Sequence, residues 1–278
     1  MEIQRIAELI AYVVVAFLWM WIAKKAFDIR NGFADHEIEE NSNIAVGLRR
    51  AGVYLGITLG LYGIMSTPAV GGFGADLAAT MIDGAVLTVL ILVAAWIANA
   101  VLLHGIDNRA AVRGGNVAVG LVELCAFIAT GFIAMSSFGG VGGGVLAAVV
   151  FFALGQLALV VLVILYEKLT PFNALGEIGG GNAAAGLMVG GMLIALGIVL
   201  AASLAGDFTS WTTDITSFVI SAAIGIIVLL AILKPIDWIF LPNTDFRTEI
   251  ERDRNVAAIA VASSVQIAVA LVITAIIV

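Results

Sequence analysis

An asparagine heading a run of small and β-branched residues occurs four times along the chain, and this repeat restricts the fold to four similar units. The copies read Asn43-Ile-Ala-Val-Gly47, Asn116-Val-Ala-Val-Gly120, Asn182-Ala-Ala-Ala-Gly186 and, in weaker form, Asn255-Val-Ala-Ala-Ile259. The asparagines stand 73, 66 and 73 residues apart. The first and third, like the second and fourth, are therefore separated by 139 residues, half of the 278-residue chain. An equal long step with a matching short step implies a duplicated half, 1–138 and 139–278, each already holding two related units.

Each asparagine opens an apolar run, and four further runs alternate with these. The chain is 62% hydrophobic and only 12% charged, where a soluble domain carries about 25% charged residues. Its mean hydropathy is +1.12. Eight stretches reach the roughly 20 residues needed to cross a bilayer: 6–26, 44–65, 77–103, 117–137, 145–166, 183–205, 215–240 and 256–278. The alternation of a membrane β-barrel is absent. The expected fold is an all-α integral membrane protein, eight transmembrane helices arranged as four helical hairpins in two four-helix halves. Because each unit holds an even number of spans, the repeats are parallel, unlike inverted transporter repeats. Such hairpins can close around an axis normal to the membrane or pair into two bundles.

Twelve of the thirteen Lys and Arg flank the loops after the first, third, fifth and seventh spans, Arg5 being the exception. The opposite loops carry acids such as Asp76 and Asp207. The positive-inside rule then places the Asn-bearing loops in the cytoplasm and both termini outside. The start of the chain has neither a basic n-region nor an Ala-x-Ala cleavage site, so the first span is expected to be retained. The net charge of −7 argues against nucleic acid as a partner. The lone Cys125 excludes a disulfide framework.

Two polar marks recur in each unit. The first helix of each hairpin ends in an apolar residue and an acid: Phe27-Asp28, Ile106-Asp107, Tyr166-Glu167 and Ile236-Asp237. The second begins at the asparagine. An acid is unfavourable at a helix C-terminus. It is explained if the neighbouring helix presents its positive N-terminus with Asn43, Asn116, Asn182 or Asn255 as N-cap. The same atoms gathered around an axis would instead form a pore mouth, the helix N-termini favouring anions and the acids favouring cations. Within the spans, Glu123 stands seven residues after Asn116, as Arg50 does after Asn43. An ion pair of Glu123 with Arg50 or Arg49 follows, since a lone charge in hydrocarbon costs about 2.5–3.5 kcal/mol on insertion scales. Gln156, Asn99 and Gln266 are expected to hydrogen-bond between helices. Gly52, Gly56 and Gly60, and likewise Gly186 and Gly190, form small-residue stripes suited to close helix packing.

Enzymatic chemistry finds no support. His36 and His104, the two histidines, show no metal-ligand spacing, no nucleophile motif occurs, and the glycine runs lack the lysine of a phosphate loop. No cofactor is implied.

An aromatic-acid pair closing one helix, followed by Gly-Asn-x-Ala-x-Gly opening the next (Gly115-Asn116 and Gly181-Asn182), resembles the bacterial membrane family called domain of unknown function 350, also termed uncharacterised protein family 0719. The resemblance covers nearly the whole chain as a tandem member, with the last copy departing at Arg254 and Ile259. It implies a bacterial inner-membrane protein and no established activity. Two uses are therefore open. One is an ion or small-solute pore along a pseudo-symmetry axis. The other is a non-conducting scaffold in the lipid bilayer that docks a cytoplasmic protein through the charged segments 29–42 and 243–254.

Overall fold

The computed structural model describes residues 2–29, 31–67, 72–169, 172–240 and 244–277. Arg30 and the side chains of Asn99 and Asp237 lie outside this set. The elements are α1 (Glu2–Asp28), α2 (Ala34–Glu39), α3 (Ile44–Ser66), α4 (Phe73–Leu102), α5 (Asn108–Arg113), α6 (Val117–Phe138), α7 (Gly144–Leu169), α8 (Ala174–Gly179), α9 (Ala183–Leu204), α10 (Trp211–Ala231), α11 (Leu233–Phe240) and α12 (Val256–Ile277). A π-helical turn, Thr248–Arg252, precedes α12. Eight of these helices are long and apolar enough to cross a membrane, and no strand occurs among the described residues.

Two departures from the sequence reading have local causes. The expected span 215–240 is two helices, interrupted at Ile232. Pro235 has no N–H to give and its ring collides with the carbonyl four residues back, so α10 ends at Ala231 and Pro235 sits in the first turn of α11. The loops at the asparagine end also hold short helices, α2, α5 and α8. Six residues are too few to nucleate alone; packing against the long helices holds them.

The four hairpins form two layers. The helices that begin at the asparagines stand in one parallel row, with α3 packed on α6, α6 on α9 and α9 on α12. The other four lie along one side of it: α1 on α3, α4 in the groove between α3 and α6, α7 between α6 and α9, and α10 between α9 and α12. The row does not close, since α3 and α12 do not pack on each other. It runs without a break through both halves, and the α6–α9 contact crossing the midpoint is built like the α3–α6 contact.

Small residues make the row possible. A β-carbon placed on Gly120 would meet Ala45 Cα at 2.8 Å, and one on Gly186 would meet Ala118 Cα at 2.8 Å. Gly131 approaches Gly56, and Gly197 approaches Ala129, with the same intimacy. Backbone-to-backbone contact of this kind is the main attraction available between helices when lipid tails are as apolar as the side chains. On each helix the face turned to the next one lies two, nine and thirteen residues after its asparagine: Ala45, Gly52 and Gly56; Ala118, Cys125 and Ala129; Ala184, Gly191 and Ala195. All nine are buried.

Candidate functional sites: asparagine staples, a buried ion pair and a polar helix face

Each asparagine side chain caps its own helix, and the first three also reach onward. Its Oδ1 caps its own helix, Asn43 accepting from Val46 N at 3.2 Å, Asn116 from Val119 N at 3.1 Å, Asn182 from Ala184 N at 3.1 Å and Asn255 from Ala258 N at 3.2 Å. In Asn43, Asn116 and Asn182 the Nδ2 reaches into the following repeat. Asn43 donates to the carbonyls of Val112 (3.0 Å) and Arg113 (3.1 Å) at the end of α5. Asn116 donates to those of Ile178 (3.0 Å) and Gly179 (3.2 Å) at the end of α8, and Asn182 to that of Ile250 (2.7 Å) in the π turn. The helix-end carbonyls that lack intrahelical donors are thus satisfied by the preceding repeat.

The residue before each asparagine adopts positive φ: Ser42 at 51°, Gly115 at 83°, Gly181 at 80° and Arg254 at 48°. The turn therefore survives at Arg254, where the motif departs in sequence. Ion pairs tighten the same joints, Glu37 with Arg113 at 3.8 Å and Glu177 with Arg254 at 3.5 Å. Hydrogen bonds from Asn41 and Asn43 and the charge of Arg113 hold the Glu37 carboxyl below its ordinary range.

The three described acids, Asp28, Asp107 and Glu167, do not share one role. Asp28, at the end of α1, pairs with Arg50 (2.5 Å) and Lys24 (3.7 Å), and Asp35 on α2 binds the same two cations. Hydrogen bonds from Lys24 and Arg50 pull the Asp35 carboxyl down to about 2. Asp107 lies beyond the end of α4 and is instead the N-cap of α5, accepting from Ala110 N at 3.0 Å. Asn173 caps α8 in the same way, from Gly176 N at 2.9 Å. Glu167 is half-buried in the last turns of α7. Sequence reasoning singles out Asp107 in another role, as an acid closing α4, and misses Asn173; a capping residue at the head of a short helical stretch is the available signal.

With Arg50 engaged by the two aspartates, Arg49 turns inward. Its Nε lies 3.1 Å from Glu123 Oε2, with the side chains 7% and 3% exposed. The Phe27 ring centroid lies 5.1 Å from the guanidinium carbon. Among the described residues Glu123 Oε1 and Arg49 Nη1 have no hydrogen-bond partner. Arg49 also borders a cavity of about 510 Å3 at the asparagine end, lined by Asn31, Trp96, Asp107, Asn108 and Arg109.

From Glu123 a polar line continues along one face of α6. Thr130 and Ser137 follow at seven-residue steps, each about 10 Å along the axis. Thr130 Oγ1 lies 3.5 Å from Gln156 Oε1 on α7, and Thr130 and Glu123 border a shared space of about 10 Å3 beside α4. Ser137 opens into a cavity of about 650 Å3 at the glycine-rich end, lined also by Asp76, Thr80, Asp83, Asp207 and Asp214. Three of these acids are engaged: Asp76 by Tyr12, Asp207 by Val141 N (2.7 Å) and Asp214 by Thr209. Gln266, fully buried on α12, reaches toward Met188 on α9. No cluster of three or more metal-ligating side chains occurs among the described residues.

No solved structure matches the chain. It is 22% identical over 269 residues to the UPF0719 transmembrane protein of Aquifex aeolicus (strain VF5), covering 94% of this chain and 97% of that one. The family model described as Domain of Unknown Function (DUF350) matches residues 1–138 and again 141–277. The whole length, the twofold match and the fourfold asparagine cap coincide, and the chain belongs to the DUF350 family.

Proposed function

We propose that this multi-pass membrane protein is a gated proton conductance, with a path between α4, α6 and α7 in place of an axis through the row. The observation that carries this reading is the Glu123–Thr130–Ser137 face of α6. Counted from Asn116 these residues lie about 10, 21 and 31 Å along the helix, which spans the roughly 30 Å hydrocarbon core. A cavity stands at either end. The space between Glu123 and Thr130 is about 10 Å3, the lower limit for one water molecule. A hydrated metal cation does not fit such a passage, whereas a proton needs only a carboxylate and a single water. The Arg49–Glu123 pair is the gate: while paired, the guanidinium occupies the carboxylate; when they separate, the carboxylate oxygens are open to water and can exchange a proton.

In this reading the basic asparagine end faces the bacterial cytoplasm, the glycine-rich end and both termini lie outside the inner membrane, and no catalytic turnover is involved. The test is proton flux through purified protein in liposomes, driven by a potassium diffusion potential and read with an internal pH dye. Flux is expected in the wild type, its loss in the double variant Arg49→Gln/Glu123→Gln, which leaves no lone buried charge, and its reduction in Thr130→Val. Folded wild-type protein that passes no protons under either polarity would sink the proposal. The scaffold, docking a cytoplasmic protein through 29–42 and 243–254, would then be preferred.

A further inference from the structure

The row of staples has two unfilled ends, and they are complementary. At the last helix, Asn255 caps α12 through Oδ1, yet among the described residues its Nδ2 donates to nothing. The face of α12 lying two, nine and thirteen residues after the asparagine consists of Ala257, Ser264 and Ala268. All three are exposed, where the nine counterparts on α3, α6 and α9 are buried.

At the first helix the matching half is open. Gly120 and Gly186 each meet the alanine of the preceding repeat, while a β-carbon on Gly47 would meet nothing within 4 Å. The carbonyl that would receive an asparagine amide is that of Ile38. It stands five residues before Asn43 as Ile250 stands five before Asn255, and the first and fourth repeats share the longer turn in which the asparagine N–H bonds six residues back, to Glu37 and Glu249. Val112, Ile178 and Ile250, whose carbonyls accept staples, are buried; Ile38 is half-buried, and among the described residues its carbonyl accepts no hydrogen bond outside the helix.

We infer that the free α12 face of one copy of this chain packs on the free α3 face of a second copy, continuing the row head to tail. Asn255 of one copy donates to the Ile38 carbonyl of the next, and Ala257 seats on Gly47. The occupant is specified by continuity with interfaces the molecule already contains, since the α3–α6 and α6–α9 contacts use the same offsets. Because α3 and α12 run in the same direction, every copy added this way enters the membrane in one orientation. The contact is heterologous, so the assembly is a ring if the rotation per copy closes and an open row if it does not.

Disulfide trapping in membranes tests the contact, since two cysteines link only when their α-carbons come within about 4.4–6.8 Å. Copies carrying Gly47→Cys are co-expressed with copies carrying Ala257→Cys, and the native buried Cys125 is present in both as its own control. A covalent pair is expected from the mixture and from neither variant alone, and a ladder of multiples is expected from chains carrying both changes. Asn255→Ala is expected to weaken the pair while leaving helical content unchanged. In bilayer nanodiscs the unmodified protein should have a mass of two or more times 28.8 kDa. Absence of the mixed pair, linking by one variant alone, or a monomer at every protein-to-lipid ratio would overturn the inference.

Discussion

At the scale of single residues the Arg49–Glu123 pair is the least forgiving feature of the fold. Each partner is almost wholly shielded, and removing one strands the other's charge, which costs about 3–5 kcal/mol for buried pairs. Glu123→Ala and Arg49→Met are each expected to lose about that much stability. The double change Arg49→Met/Glu123→Leu should recover most of it, because no charge is left to bury. Reversible unfolding in detergent measures this, and a double variant as unstable as the singles would mean the pair is not what holds α3 to α6 there. The level of these charges was readable from their offsets to Asn43 and Asn116. The choice between neighbouring arginines was not: it depends on Asp28 and Asp35 converging on Arg50, and Asp35 reaches it from α2, whose docking on the long helices no sequence pattern announces.

At the scale of the element, the long helices were visible because nothing but a helix satisfies the backbone in lipid. Of the short ones, α5 and α8 escaped because six residues have no periodicity to read. The glycines show how much an identical motif depends on its neighbour. A side chain at Gly186 must displace the Ala118 backbone, whose carbonyl oxygen lies 2.6 Å from the β-carbon position. Gly186→Val is therefore expected to cost about 1–3 kcal/mol, as overpacked cores do. Gly47→Ala meets open space and should gain up to about 1 kcal/mol from helix propensity in the isolated monomer. Thermal midpoints of the two variants in detergent should move in opposite directions, and equal losses would mean that α3 is packed on that face after all.

At the scale of the whole molecule, four sequence repeats are compatible with a ring, two bundles or a row, because periodicity records contacts between neighbours and is silent on closure. The partners of the first three asparagine amides are what distinguish these, and they lie in the next repeat, more than sixty residues away. In a row, the position of a broken staple matters. Asn116→Ala removes a cap and two links to α8, a cap being worth about 1 kcal/mol and each net hydrogen bond about 0.5–1.5 kcal/mol. Asn255→Ala removes only the cap in a single molecule. Chemical unfolding of monomeric protein should show the interior change to be the larger by about 1–3 kcal/mol, and equal effects would mean that the inter-repeat bonds carry no weight.

The direction of the staples also has a temporal meaning during translation. Each asparagine amide belongs to a hairpin already made, and its acceptor carbonyls are still to be synthesised: 69 residues later for Asn43, 62 for Asn116 and 68 for Asn182. At about 5–20 residues per second, a newly inserted hairpin waits on the order of 3–14 s with its amide unanswered. The joint then locks as the next short helix leaves the ribosome. Assembly is thereby given a sense, from N- to C-terminus, and the Asn255 amide, which has no acceptor among the described residues, is the joint left for a second copy to close.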